Sequence, residues 1–418
     1  MDYRKRFIES EIDDLLEIFP IVSLTGPRQS GKSTLIKHYI SKKKIPWAYI
    51  SLDDREILLR IKEDPTLFAH SINSNIAIDE AQKAPELFHA LKQVVDAGLK
   101  HKIILSGSAN FLLLKSITES LAGRVGLLEL QAFSIAEAYE YKSNSLIHKI
   151  IKNHSVKDLY ETLTNSQLEK ISDKKLMNFI LYGGFPKLIE LKPEQKLKWF
   201  DRYISTYIER DLRDLSQIGN LDNFQKVYKL FAYQTAQILN LSNIASDTGI
   251  DSKTVKHYLS ILESSYQCKT LPAYFSKQRK QLIKSPKIFY TDTGLVNFHQ
   301  RNVDLDSMLN RGGWGHILET FVYSELHKEA KDMSPKVDLY FWRTNNGAEV
   351  DFILSYGEKL YPIEVKAAAI INSYELKSLE SFMEAEGTKV PFGIVFYRGD
   401  RISFFKENIL GIPLGYLG

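Results

Sequence analysis

Gly26-Pro27-Arg28-Gln29-Ser30-Gly31-Lys32-Ser33, with Thr34 next, is the stretch that decides the fold. It fits the P-loop pattern G-x-x-x-x-G-K-[ST] without departure. The glycines let the backbone close into a nest of N–H groups around phosphate oxygens. In this pattern Lys32 reaches the β- and γ-phosphates of a nucleotide, and the Ser33 hydroxyl is offered to Mg²⁺. The flanks suit the motif. Ile21-Val-Ser-Leu-Thr25 is a short apolar run of buried-strand type, and Ser33 to Ile40 reads as a helix. Strand, glycine loop and helix aim a positive dipole end at the phosphate position. Nucleotide binding by Gly26 to Thr34 is therefore the expectation, against an ordinary glycine-rich turn.

Outward from the loop the chain alternates strand and helix signals. Trp47 to Leu52 reads as a strand. Asn75-Ile-Ala-Ile-Asp79-Glu80 leads an apolar run into two carboxylates. Asp79 is expected to hold Mg²⁺ through water, and Glu80 to polarise the attacking water. Pro85 to about Ala97 has helical periodicity, and Lys102-Ile-Ile-Leu-Ser-Gly-Ser108 reads as a buried strand. If that strand lies between the two motif strands, Ser106 or Ser108 points at the γ-phosphate; a simple turn is the alternative. Arg124, before the strand Val125–Leu130, is either a finger neutralising transition-state charge, in cis or in trans, or an exposed loop arginine. The alternation implies an α/β fold with a parallel sheet covered on both faces.

Bulk properties agree with a chain of several domains. It has 418 residues, 44% hydrophobic and 25% charged, as in an ordinary soluble protein. No apolar run is long enough for a membrane span, and Met1-Asp-Tyr-Arg-Lys-Arg-Phe lacks a signal-peptide core. Cys268 is the only cysteine, which excludes an intramolecular disulfide and fits a reducing, cytoplasmic location. A net charge of +4 says little about nucleic acid, so any basic footprint must be local.

The first domain resembles AAA+-type P-loop ATPases. More closely, the chain is similar to bacterial and archaeal ATP-binding proteins that carry a C-terminal domain of unknown function. The residues behind this are the Gly26–Ser33 loop, Ile78-Asp79-Glu80-Ala-Gln82, Ser106-Gly-Ser108 and Leu121-Ala-Gly-Arg124. Tyr182-Gly-Gly-Phe-Pro186 and Tyr207-Ile-Glu-Arg-Asp211-Leu also match. The resemblance implies ATP and Mg²⁺ as cofactors, Ser108 at the sensor position and assembly into a homo-oligomer. It implies no secure role for Arg202, Arg210 or Arg213, whose plain reading is solvated helix charge.

Residues 133–225 read as a mostly helical lid after an ATPase core of residues 1–132. Within 226–300, Gly249 sits between two amphipathic helices, and Ser252 is placed to cap the second. Lys253, Lys256 and His257 would face outward there. A hairpin with a basic tip, Lys277 to Lys284, follows. That is winged-helix grammar, so DNA is an expected partner, with a spacer or protein contact as the alternative.

Residues 301–418 carry a second pattern. A helix bears Glu319, a strand bears Asp351, and the next strand bears Glu364 and Lys366 on one face. Three such carboxylates could hold Mg²⁺, with Lys366 positioning a water. The arrangement resembles the PD-(D/E)xK nuclease fold. The resulting expectation is Mg²⁺-dependent ATP hydrolysis coupled to a nucleic-acid-directed C-terminal module. The alternatives are an ATP-gated, metal-dependent DNA endonuclease and a non-enzymatic ATP-dependent switch that binds a protein partner.

Overall fold

The inner strands of the first sheet carry residues that are apolar on both sides. The computed structural model describes residues 3–107, 120–207, 220–275, 285–331 and 333–418. Strands β1 (Ile21–Thr25), β2 (Trp47–Ser51), β3 (Asn75–Asp79), β4 (Ile103–Ser106) and β5 (Val125–Glu129) pair in parallel, in the order β2-β3-β4-β1-β5. Alternate residues serve opposite faces. Ile21, Ile76, Ile78 and Ile103 pack with Ile61 of the helix Arg55–Glu63 and with Leu87 and Leu91 of the helix Glu86–Asp96. Val22, Leu24, Ala77 and Ile104 pack with Ile12 of the helix Glu9–Ile18 and with Leu35 and Ile36 of the helix Lys32–Ser41. The sheet is thus covered on both faces, as a parallel sheet must be. β4 lies between β1 and β3, so the two motif strands flank the strand that ends at Ser106.

A helical stretch follows: Ile135–Tyr139, Leu146–Lys152, Val156–Asn165, Asp173–Tyr182, Pro193–Thr206 and Leu221–Tyr233. Next come the helices Leu241–Thr248 and Ser252–Ser264, joined through Gly249 in the left-handed region. The second is capped by Asp251, whose carboxylate accepts from Lys253 N and Thr254 N. Ser252, expected as the cap, is already the first helical residue. Asp251 wins because its side chain can reach two of the free N–H groups of the first turn. β6 (Gln237–Ile238), β7 (Cys268–Leu271) and β8 (Lys287–Tyr290) form a small antiparallel sheet in the order β6-β8-β7. The basic tip of residues 277–284, together with Ser108, Arg210, Asp211 and Arg213, lies outside the described residues.

The helices Thr293–His299, Leu305–Asn310 and Trp314–Lys331 lead into a mixed sheet. It comprises β9 (Asp338–Arg343), β10 (Glu349–Tyr356), β11 (Lys359–Lys366), β12 (Gly393–Tyr397), β13 (Ser403–Lys406) and β14 (Ile409–Pro413) in the order β13-β14-β12-β11-β10-β9. One face packs Val350, Ile353 and Val395 against Leu379 and Phe382 of the helix Lys377–Glu386. The other face belongs to a buried apolar cluster that runs from Phe133 to Leu417. The helical stretch, the helix pair with its hairpin and the last sheet are therefore packed on one another. No helix among the described residues is long and apolar enough to cross a membrane.

Candidate functional site

β1 ends at Thr25, and the chain turns at once. Gly26 has φ +140°, and a β-carbon there would lie 2.0 Å from the Leu130 carbonyl oxygen, so only glycine fits. Lys32 opens the next helix and is buried; its Nζ donates to the carbonyls of Gly26 (2.9 Å) and Pro27 (2.8 Å). The loop is braced from the N-terminal segment. Buried Arg6 donates to the Ser30 carbonyl (3.0 Å) and the Gln131 carbonyl (2.7 Å), and pairs with Glu137 at 3.1 Å. Ser33 is half-buried in the first turn of the helix, while Gln29 and Thr34 are exposed.

Asp79 ends β3 and is buried. Its Oδ2 accepts from the Tyr49 hydroxyl at 2.8 Å, and its Oδ1 accepts from the Glu80 N–H at 3.1 Å and from the Ser106 hydroxyl. Burial and then the bond to Asp79 push the Tyr49 hydroxyl pKa up, so it stays protonated and donating. The expectation for Ser106 needs adjustment. The residue does sit at the end of the strand between the two motifs, but its hydroxyl is directed to Asp79, the nearest strong acceptor. Glu80 takes a left-handed backbone, φ 57° and ψ 36°, a conformation that costs a non-glycine residue free energy. Its carboxylate accepts from Gln82 Nε2.

Arg124 is not at this site in its own chain. Its carbonyl accepts from Ile21 N at the start of β1, four residues before Thr25, and its guanidinium pairs with Asp96. At about 3.3 Å per residue, that is roughly 13 Å along the strand from the loop, so a cis finger is excluded by the parallel register.

The Gly183-Gly184-Phe185-Pro186 turn comes up against the loop. The Pro186 ring lies 3.7 Å from where a side chain on Gly31 would begin. Gly183 has φ +73°, and a β-carbon on it would meet Asp292 Oδ1 at 2.0 Å. Asp292 is buried and accepts from Gly184 N at 2.8 Å, Gly294 N at 2.9 Å and Leu295 N at 3.3 Å. It thereby caps the helix Thr293–His299 and anchors the turn with one carboxylate. A pocket beside the loop is lined by Tyr3, Arg4, Gly31, Thr34, Phe133 and Pro186.

The C-terminal carboxylates are arranged otherwise. Antiparallel β10 and β11 pair Phe352 with Ile363, which sets Asp351 beside the Glu364 end of β11; Asp351 Oδ2 accepts from Val365 N at 2.7 Å. Lys366 Nζ donates to Glu364 Oε2 at 2.8 Å. Glu319 comes from the buried side of the helix Trp314–Lys331. Between them stands a residue that the motif does not contain. Lys287, the first residue of β8, is 2.6 Å from Glu319 Oε1 and 2.6 Å from Glu349 Oε1. Burial raises the pKa of Glu319 and of Glu364, and nearby Asp351 adds to both. For Lys287 burial works downward, but Glu319, Asp351 and Glu349 outweigh it and hold the ammonium charged. The expected three-carboxylate metal site does not fit this geometry. Among the described residues no group of three or more His, Cys, Asp or Glu side chains is disposed to hold a metal ion.

Arg6, Tyr49, Lys287 and Asp292 escape sequence reasoning because each meets its partners far along the chain. The signals open to inspection are a lysine inside the apolar strand Lys287-Ile-Phe-Tyr290 and the capping grammar Asp292-Thr-Gly.

A parallel sheet in this strand order, a P-loop after β1 and the acidic pair Asp79-Glu80 at the end of β3 make up a P-loop nucleotide-binding core. Residues 19–139 match the family model described as AAA domain. Residues 173–308 and 314–417 match two models described only as domains of unknown function, DUF8612 and DUF4143. An uncharacterized protein of Mycobacterium tuberculosis is 28% identical over 352 residues, covering 83% of this chain and 70% of that protein. Another from Methanocaldococcus jannaschii is 25% identical over 374 residues, covering 87% and 78%. Among solved structures, a Walker-type ATPase of Pyrococcus abyssi aligns with TM-score 0.48 and 17% identity, covering 72% of this chain and 96% of that one. The Holliday junction branch migration motor of Thermotoga maritima aligns with TM-score 0.31 and 16% identity, covering 66% and 94%.

Proposed function

We propose that this protein is a Mg²⁺-dependent ATPase whose nucleotide state is relayed to its C-terminal half. The observation that carries the reading is Asp79. It is a buried carboxylate beside the P-loop strand pair, oriented by two hydroxyls and a backbone N–H, and those donors leave its charge for a cation. The Gly26–Thr34 backbone would cradle the phosphates, with Lys32 turning from the loop carbonyls to the β- and γ-oxygens. Ser33 and Asp79 are hard oxygen donors suited to Mg²⁺, which when bound neutralises charge on the phosphate oxygens. Glu80 would orient the attacking water and accept its proton, with Gln82 fixing the carboxylate beforehand. The pocket formed by Tyr3, Phe133 and Pro186 offers apolar walls to a nucleobase. Arg124, at the far end of the sheet, is a finger only for a neighbouring copy in a homo-oligomer.

The packing supports the relay. Pro186 beside Gly31 is tied through Asp292 to the helix after β8. The helix pair and hairpin of residues 241–290 read as a winged helix, a division that leaves 1–132, 133–225, 226–300 and 301–418 as working units. Lys253, Lys256 and His257 are exposed on the helix Ser252–Ser264, which supports DNA as its partner. The endonuclease reading gains no such support, because Lys287 sits among its carboxylates.

A phosphate-release assay on wild type, Lys32→Ala and Glu80→Gln, with and without single- and double-stranded DNA, tests the proposal. Lys32→Ala should lose nucleotide binding, and Glu80→Gln should bind ATP without turning it over. Wild-type hydrolysis rates in both variants would end the assignment. Stimulation by DNA supports the nucleic-acid-directed reading, and indifference to it favours a protein partner. Binding without turnover by wild type under every condition would leave the ATP-dependent switch.

A further inference from the structure

The PD-(D/E)xK pattern calls for a divalent cation among Glu319, Asp351 and Glu364. The geometry points to a different occupant: Lys287, from the hairpin, is the resident cation of this carboxylate cluster, and its ammonium holds the last domain closed to metal. Three observations carry this. Lys287 is 1% exposed, although an unpaired lysine is almost never buried so completely. Its Nζ lies 2.6 Å from carboxylates on two separate elements, the helix Trp314–Lys331 and β10. Each remaining carboxylate is also engaged within the fold, Glu349 and Glu364 by cations and Asp351 by a backbone N–H. Glu364 bonds Lys366, Asp351 bonds Val365 N, and Arg343 takes the second oxygen of Glu349 at 3.0 Å.

The arrangement has a topological consequence. Lys287 opens β8, two residues before Phe289, whose ring stacks on Tyr323 at 4.3 Å between centroids. The ion pair therefore ties the hairpin to the C-terminal sheet. A metal could enter only if β8 moved Lys287 out. The cluster works as a latch between two units, and in the latched form it performs no metal-assisted hydrolysis.

The test uses the full-length chain without nucleotide and Mn²⁺ alone as probe, read by metal binding, by melting temperature and by nicking of supercoiled plasmid. Wild type should show no Mn²⁺ binding, stabilisation or nicking that depends on Asp351, judged against Asp351→Asn. Lys287→Met should melt lower. Mn²⁺ should then bind it about tenfold or more tighter than wild type and restore part of the melting temperature, and Asp351→Asn should remove that gain. Asp351-dependent Mn²⁺ binding or nicking by wild type would overturn the proposal, and so would a folded Lys287→Met that ignores Mn²⁺. Should Lys287→Met fail to fold, Lys287→Met with Glu319→Gln removes the ammonium together with its most buried carboxylate partner and should recover melting temperature. No recovery in that pair, like either positive wild-type result, counts against a Lys287–carboxylate latch.

Discussion

Two sets of carboxylates face lysines in this molecule, and they are balanced in opposite ways. At the P-loop, Asp79 is held by Tyr49, Ser106 and the Glu80 N–H, while Lys32 is directed to backbone carbonyls of its own loop. At the other end, Glu319 and Glu349 close on Lys287, and Glu364 closes on Lys366. Neutral donors orient a carboxylate and leave its charge for a bound cation. An ammonium at 2.6 Å uses that charge within the fold. On the proposed reading, the same residue types make a nucleotide site in one place and a structural joint in the other.

The comparison breaks most plainly in turnover. Lys32→Ala should lower ATP hydrolysis by about a hundredfold or more, the scale on which removing one electrostatic contact to a transition state acts. Lys366→Ala, at the joint, should leave hydrolysis within about twofold, because its partner Glu364 serves the C-terminal sheet. Equal losses in the two variants would show that both ends belong to one catalytic unit.

The next effect is on stability. Removing one member of a buried ion pair leaves an uncompensated charge and costs about 3–5 kcal/mol. Lys287→Met should lose that much in urea unfolding, and Lys287→Met with Glu319→Gln should lose clearly less. An additive double variant would mean that Lys287 and Glu319 do not act on one another.

A smaller effect sharpens the link between the regions. Gly183→Ala sets a β-carbon against Asp292 and forces a left-handed alanine, so the Gly-Gly-Phe-Pro turn must shift away from Gly31. ATP affinity should fall by about 1–3 kcal/mol, roughly five- to 150-fold, with the secondary structure kept. Unchanged affinity would separate this turn from the nucleotide site.

How much of this could be read from the chain follows from the range of each interaction. The P-loop, Asp79-Glu80 and the Glu364-Val-Lys366 alternation are local strings whose spacing fixes their geometry, and each occupies the element its pattern requires. Lys287 and Glu319 are 32 residues apart and Gly184 and Asp292 are 108 apart. No periodicity links such pairs, because their contact is created by packing. Ser106 shows the intermediate case. Its strand position follows from pattern, but its bond to Asp79 depends on the lateral order of β3 and β4. Arg124 reads as a finger or an exposed loop arginine from its sequence alone; the parallel register puts it at the opposite end of the sheet from the loop.

The helix Trp314–Lys331 spans the two regions and supplies the last test. Near one end it carries Glu319; near the other, Lys331 Nζ donates to the Glu129 carbonyl at the end of β5, next to the strand that bears the P-loop. Glu329 lies on the same stretch. Its carboxylate accepts from Ile147 N at 2.8 Å and His148 N at 3.3 Å. Burial pushes its pKa up from 4.5 to about 7, against those N–H groups and Lys149. A carboxyl that binds its proton more tightly when folded favours the folded state below pH 4.5, and that advantage is lost as pH rises through about 7. The loss amounts to about 2–3 kcal/mol across that window. Glu329→Gln keeps an oxygen acceptor for both N–H groups and carries no titration, so its unfolding free energy should fall less than that of wild type between pH 5 and pH 8. Parallel pH profiles would place the Glu329 charge in water and free this joint from any electrostatic cost. A flattened profile would show that the helix tying the two carboxylate systems together is held most firmly when this one acid is neutral.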